Sequence, residues 1–323
     1  MRTRVVLVPA AQRSRNLHQV SGRTGLGVAL AISTVLMWSI LPIGLKIALE
    51  GLDPLTLSWI RFSVSSLVLG AWLRTRGSMP NLARLSRRHL LLLLVAALGL
   101  AGNYGFYAVG LQHTNASTSQ VVIQVAPMLL TLGGIVLFQE RFAMRQWFGF
   151  ATLVGGLGLF SSEQIAHLVG GVESYYTGLA FLVIGGVAWA AYGLAQKQLL
   201  RQLGSPQIML CLYVAGAVLF APLSAPSKLG EMTGLEVGAL VFCTANMLIS
   251  YASFSEALAH MEASRVSAIL AMVPLGTLAA VHVASVVVPS VFRAEPITGL
   301  AVVGAMMVVG GSLMTSLGKG GTA

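Results

Sequence analysis

HTNASTSQVVIQVAP (residues 113–127) and HMEASRVSAILAMVP (residues 260–274) both start on His, carry Ala-Ser at the same offset and end on Pro, 147 residues apart. The register extends upstream, where Tyr104 falls on Tyr251 and Leu111 on Leu258. A shift of 151 residues lays Gly27, Trp38 and Lys46 on Gly178, Trp189 and Lys197. A shift of 155 lays Glu140, Gly149, Gly155 and Gly156 on Glu295, Gly304, Gly310 and Gly311. One coincidence of this kind means little. Several in consistent order, with loops absorbing the changes of offset, mark an internal repeat.

The first of these stretches lies in a run, 90–139, without one Asp, Glu, Lys or Arg. The 323-residue chain is 56% hydrophobic and only 9% charged, whereas a soluble domain carries about 25% charged residues. A bilayer span needs roughly 20 apolar residues. Segments 24–45, 146–162, 174–196, 202–227, 237–255, 266–292 and 297–318 all lack charge. The run 90–139 holds two more spans with a hairpin at 112–115, and 54–73 adds one that carries Arg61. The expectation is an all-α membrane protein with ten transmembrane helices. Period-2 alternation is absent, which argues against a barrel.

The net charge of +10 invites a nucleic-acid reading, but its distribution argues against one. Five Arg precede the first span and five lie between spans two and three. Arg141, Arg145, Lys197, Arg201, Arg265 and Lys319 follow at alternate loops, which puts 16 of the 20 basic residues on one side. Glu50, Asp53, Glu163, Glu173, Glu231, Glu236 and Glu295 fall on the other. This is the positive-inside pattern, with both termini cytoplasmic. Residues 1–22 carry too short an apolar core for a signal peptide and read as a disordered cytoplasmic arm or an overlong gene start. Cys211 and Cys243 fall inside apolar spans and read as small buried hydrophobes, with no metal or disulfide framework.

Each repeat holds five spans, at 23–162 and 174–317. Five is odd, so the second copy enters the membrane upside down. Inverted five-helix repeats are the architecture of many alternating-access carriers, with the site near the midplane between the halves.

WSILPIGLKIALEGLDPLTLSWIRF (residues 38–62) and the segment 103–160, with NYGFY, HTNAS, QVAPML, ERF and QWFGF, resemble the EamA domain of the drug/metabolite transporter superfamily. Residues 175–315 resemble a second, weaker copy. The resemblance implies a ten-helix carrier of the bacterial inner membrane, commonly an exporter of amino acids or other small metabolites. The second copy departs most between Pro274 and Glu295, which exceeds its counterpart by 8 residues.

Gln120 and Gln124 share one face of the fourth span, because i and i+4 are neighbours. They face either a polar path or a neighbouring helix, where amide bonds between spans are worth about 1 kcal/mol. Pro127 removes a donor and frees the carbonyl of Ile123. The repeat keeps the proline as Pro274 but replaces the amides by Ser267 and Ala271. Asn103, Tyr104 and Tyr107 lie midway along the third span, and Ser250, Tyr251 and Phe254 are their repeat partners, with Asn246 one turn earlier. Both sets suit a midplane site, or packing with satisfied hydroxyls. Trp38, Trp189 and Tyr192 sit mid-span, although membrane Trp belongs at interfaces. They read as lining or gate, or as aromatic packing.

Lys46 and Lys197 lie near span ends, where snorkelling is the default, and their pairing by the repeat allows a gate role. Arg61 lies about 9 Å inside its span, to pair with Glu50 or Asp53 or to attract an anionic group. Glu140 and Glu295 read as caps of the helices they precede, and Glu256 as a partner of Arg265. His113 and His260 read as turn or capping residues. Gly149, Gly156, Gly304 and Gly311 read as close helix contacts. No span carries a deep Asp or Glu, which leaves the coupling open.

The reading is a secondary transporter that exports a small metabolite such as an amino acid by alternating access. The expected partners are the lipid bilayer and a small-molecule substrate, with no nucleic acid, cofactor or metal. The alternatives are a multidrug exporter and, from another class, an intramembrane enzyme or receptor. No catalytic constellation supports an enzyme.

Overall fold

The computed structural model describes residues 20–114, 116–140, 142–166, 173–287 and 299–317. Asn115, Arg141, Glu295 and Lys319 lie outside the described residues, as does the arm before Val20. Twelve α-helices appear among them: α1 (Thr24–Gly51), α2 (Pro54–Thr75), α3 (Arg87–His113), α4 (Ala116–Val122), α5 (Val125–Phe138), α6 (Met144–Ala166), α7 (Glu173–Leu199), α8 (Ser205–Phe220), α9 (Gly234–His260), α10 (Ala263–Leu270), α11 (Val273–Val287) and α12 (Gly299–Leu317). No strand occurs among the described residues. Seven helical stretches are long and apolar enough to cross a membrane, and Val125–Phe138 and Val302–Thr315 are shorter apolar helices. In hydrocarbon every backbone polar group must be satisfied within the segment, which selects helices from sequences this apolar.

The helix ends follow local chemistry. Asp53 Oδ1 accepts from the backbone N–H groups of Leu55 at 3.1 Å and Thr56 at 3.0 Å, and Pro54 opens α2 where no donor is needed. Burial alone would raise the Asp53 carboxyl pKa, but these hydrogen bonds and that from the Thr56 hydroxyl outweigh it and hold the pKa below the ordinary value. Thr233 and Glu236 cap α9 reciprocally. Gln139 ends α5 in the left-handed region, at φ 54°. That turn directs the chain sharply into Glu140.

Proline shapes three spans. α4 and α5 are parts of one path broken at Ile123 and Gln124, and α10 and α11 are broken at Ala271 and Met272. Pro127 and Pro274 follow each break by three and two residues. The Ile123 carbonyl is not left free, because the Ala126 N–H donates to it at 2.9 Å. Tightening to an i+3 bond takes the place of the donor that Pro127 lacks. Pro42 lies inside α1. Three side chains donate to carbonyls of the turn before it: Asn246 to Met37 at 2.6 Å, Gln120 to Trp38 at 3.5 Å and Thr277 to Ser39 at 3.0 Å. Of these, the Trp38 carbonyl is the one whose helical donor Pro42 lacks, and a neighbouring span satisfies it.

The most extensive packing is between α3 and α7, α6 and α12, and α1 and α9, followed by α2 with α8. Small residues allow the close approaches. A Cβ on Gly156 would fall 2.8 Å from the Val308 nitrogen and 2.9 Å from the Gly304 carbonyl. One on Gly311 would meet the backbone of Leu153 and Gly149. The seven-residue glycine spacing therefore works as expected, as a close α6–α12 contact.

Candidate functional site

One cavity opens among α1, α2, α3, α7, α9 and both broken helices. It contains about 690 Å³ of space between atoms, open solvent included. Gln124, Ala126 and Pro127 bring the first helix break to its wall, and Leu270 and Val273 bring the second. Such a meeting of two interrupted membrane helices exposes backbone only where it lines a cavity.

The amide face of the first break has two layers. Gln120 Nε2 donates to the Tyr107 hydroxyl at 3.0 Å and, at 3.5 Å, to the Trp38 carbonyl left open by Pro42. Tyr107 in turn meets Ser119 Oγ at 3.2 Å. Gln120 therefore ties α1, α3 and α4 together. Gln124 differs: its Nε2 donates to the Gln120 carbonyl one turn back at 3.3 Å, and its Oε1 is buried with no hydrogen-bond partner among the described residues. An amide oxygen deprived of water and of a partner costs about 1–3 kcal/mol. Here it belongs to a cavity-lining side chain, so a ligand donor could satisfy it.

Aromatic rings form much of the rest of the wall. Trp38 meets Trp189 edge-on at 5.6 Å between ring centroids, and Tyr251 lies 5.4 Å from Trp38. Trp38, Trp189, Tyr251, Tyr104 and Tyr107 all line the cavity, as does Asn103, whose Nδ2 donates to the Gly185 carbonyl at 3.0 Å. Three expected site residues stand outside its lining. Tyr192 is fully buried, and its hydroxyl points to Met209 Sδ at 3.6 Å. Asn246 supports the α1 backbone through Met37. Ser250 is buried, and its carbonyl accepts from Thr34 at 3.3 Å. Repeat symmetry pointed at Ser250, and mid-span position at Asn246 and Tyr192, but neither decides which face of a helix the cavity takes.

Arg61 lines the cavity and was absent from the expected set. It pairs with neither Glu50 nor Asp53. Its Nε donates to the Cys243 carbonyl at 3.2 Å, and the guanidinium lies 4.6 Å from the centre of the Tyr104 ring. Its position inside an apolar span was the available signal.

The lysines also depart from expectation. Lys197 does not snorkel: it is 1% exposed and forms an ion pair with Glu140 Oε1 at 2.6 Å. Glu140 caps α10 and not the helix it precedes, because its carboxylate accepts from the backbone of Ala263 at 2.9 Å and Ser264 at 3.1 Å. Burial alone would raise the Glu140 carboxyl pKa. The Lys197 charge and these hydrogen bonds outweigh burial and hold it below the ordinary glutamate value. Lys46 donates to the Thr114 carbonyl at 2.7 Å. Glu256 pairs with His260 and Arg265 with Glu262, not with each other. His260 Nδ1 also meets Ser21 Oγ at 2.6 Å, and the Ser21 N–H donates to the Ala259 carbonyl, so the end of the expected arm is held against α9.

No cluster of His, Cys, Asp or Glu able to hold a metal occurs among the described residues. The EamA-like transporter family matches residues 25–162 and 176–317. The uncharacterized inner membrane transporter YhbE of Escherichia coli K12 is 33% identical over 297 residues, 92% of each chain. An uncharacterized transporter of Haemophilus influenzae is 32% identical over 293 residues, 91% of this chain and 95% of that one. One solved crystal structure is similar with a TM-score of 0.67 over 90% of this chain and 96% of its own, at 19% identity, a likeness of fold alone. Two matched segments spanning most of the chain, together with relatives matched nearly end to end, make this protein a member of the EamA-like transporter family.

Proposed function

We propose that this membrane protein is a secondary transporter of the bacterial inner membrane, with both termini cytoplasmic, that exports a small amphipathic metabolite such as an amino acid. Its ten spans are two inverted five-helix repeats, 23–162 and 174–317, and alternating access comes from rocking one against the other around a fixed site. The observation that carries this reading is the convergence of both helix breaks on one cavity. Helix pairing supports it as well. Under the repeat α1 corresponds to α7 and α3 to α9, so the α3–α7 contact and the α1–α9 contact are equivalents, and both are among the most extensive in the molecule.

Gln124, Tyr107 and Asn103 supply polar contacts in this proposal, and Trp38, Trp189 and Tyr251 supply an apolar slot. Tyr104 and Gln120 hold the wall in shape. Tyr192, Asn246 and Ser250 support it from behind. The alternative of a multidrug exporter for lipophilic cations is the weaker one, because no acidic side chain is among the residues that line the cavity.

The test is transport by the purified full-length protein in liposomes, run with a panel of labelled amino acids and amphipathic metabolites. Tyr107→Ala should reduce the transport of the solute carried by about tenfold or more, as expected for loss of one well-placed contact of about 1.4 kcal/mol. Normal transport by a folded Tyr107→Ala protein would sink the site assignment.

A further inference from the structure

Arg61 is the one charged side chain among the residues that line the cavity. It is 3% exposed. One edge of its guanidinium is used by the Cys243 carbonyl and one face by the Tyr104 ring. Its Nη2 is buried and has no hydrogen-bond partner among the described residues. No ion pair of Arg61 occurs among them either. A charge inside an apolar span that lacks a counter-charge marks a functional site by default. A guanidinium held through Nε, with the Nη2 donors left over, suits a planar anion, since Arg matches carboxylates well.

Charge balance narrows the ligand. A monoanion neutralises the cavity. A zwitterion would bring a carboxylate to Arg61 but leave its ammonium with neutral amide, hydroxyl and ring groups and no carboxylate among the lining residues. A cation would be repelled outright. The rest of the wall is apolar, with Leu45, Leu270, Val273 and the two Trp rings available to a hydrocarbon body. Gln124 Oε1 offers one further acceptor for a neutral N–H or O–H on that body.

We infer that Arg61 is the residue that selects the substrate, and that the substrate class is a small organic monocarboxylate with an apolar or aromatic body. This rests on the cavity being the transport site. It narrows that reading, because it ranks a monocarboxylate above a zwitterionic amino acid of the same shape.

Four probes of one shape test it on the full-length protein: 3-phenylpropionate, its neutral amide, phenylalanine and 2-phenylethylammonium. Binding is read from the fluorescence of the protein's Trp residues, and uptake from reconstituted liposomes. The acid should bind at least about tenfold tighter than the amide, as a charge-assisted bidentate contact is roughly twice as strong as a neutral one. Phenylalanine should be weaker than the acid and the ammonium weakest. In Arg61→Gln the acid should fall to the affinity of the amide while the amide is unchanged. Arg61→Lys, which keeps the charge but not the fork, should lie between. Equal binding of acid and amide by the native protein, a preference that survives Arg61→Gln, or no binding by any probe would overturn the inference. Acid-selective binding without uptake of any probe would overturn the transport reading and leave the anion site standing.

Discussion

The two broken helices start from the same sequence frame and end with different chemistry. Each enters through a His and an Ala-Ser pair, breaks after about two turns and meets a proline. Both breaks reach the same cavity. The first brings Gln120 and Gln124, a hydrogen-bonded layer and an unpartnered amide oxygen. The second brings Leu270 and Val273, while its Ser267 hydroxyl is used up on the Ala263 carbonyl of its own helix. Their entrances differ too. α10 begins on the buried Glu140 carboxylate, itself paired with Lys197, whereas the chain entering α4 is held by Lys46 on the Thr114 carbonyl. The frame is symmetric because both copies must bend and close in the same way. On the proposed function, the asymmetric chemistry suits a substrate with two unlike ends.

The largest way to break this comparison is at the entrances. Glu140→Gln leaves Lys197 buried without its counter-charge and should cost about 3–5 kcal/mol. Lys46→Gln removes one charged hydrogen bond and should cost less, about 1.5–3 kcal/mol. Thermal unfolding of the two purified variants in one detergent ranks them, and equal losses would refute the asymmetry of the entrances. Acid adds a signature. Because the folded Glu140 carboxyl lies below its unfolded value, its contribution is present above the unfolded value and is lost as pH falls through the folded one. The native midpoint should therefore drop on acidification below about pH 4.5, the unfolded glutamate range, and Glu140→Gln should lack that component.

Next come the amides. Gln124→Ala should lower transport by about tenfold, and Ser267→Ala by less than about twofold, since a contact worth 1.4 kcal/mol is a factor of ten. Liposome uptake measured side by side checks it, and similar losses would mean that the two walls share the substrate evenly. The smallest effect tests the symmetric part. Pro127→Ala and Pro274→Ala each return a backbone donor to a break, and both should slow transport by similar, smaller factors. A large effect in one and none in the other would show that the bends are not equivalent.

Much of the fold was legible because lipid is an unforgiving solvent. Long uncharged runs leave only helices, and the coincidences from Trp38 and Trp189 through Pro127 and Pro274 exposed the repeat. The aromatic and amide lining was legible as well, since Trp38, Tyr107 and Gln124 are out of place in plain apolar spans. Asn246, Ser250 and Tyr192 were not separable from them. They share its composition, and only packing decides which helix face meets the cavity and which meets a neighbour's backbone.

By itself the sequence determined a membrane-embedded helical chain with an internal repeat, because hydropathy and register are properties of order along the chain. The tertiary structure alone decided the pairings: Glu140 with Lys197 and α10, Gln120 with a carbonyl opened by Pro42, and Arg61 with the cavity in place of Glu50 or Asp53. Each joins residues far apart in the chain or on different helices, and the energy of a buried charge or amide depends on what surrounds it in space.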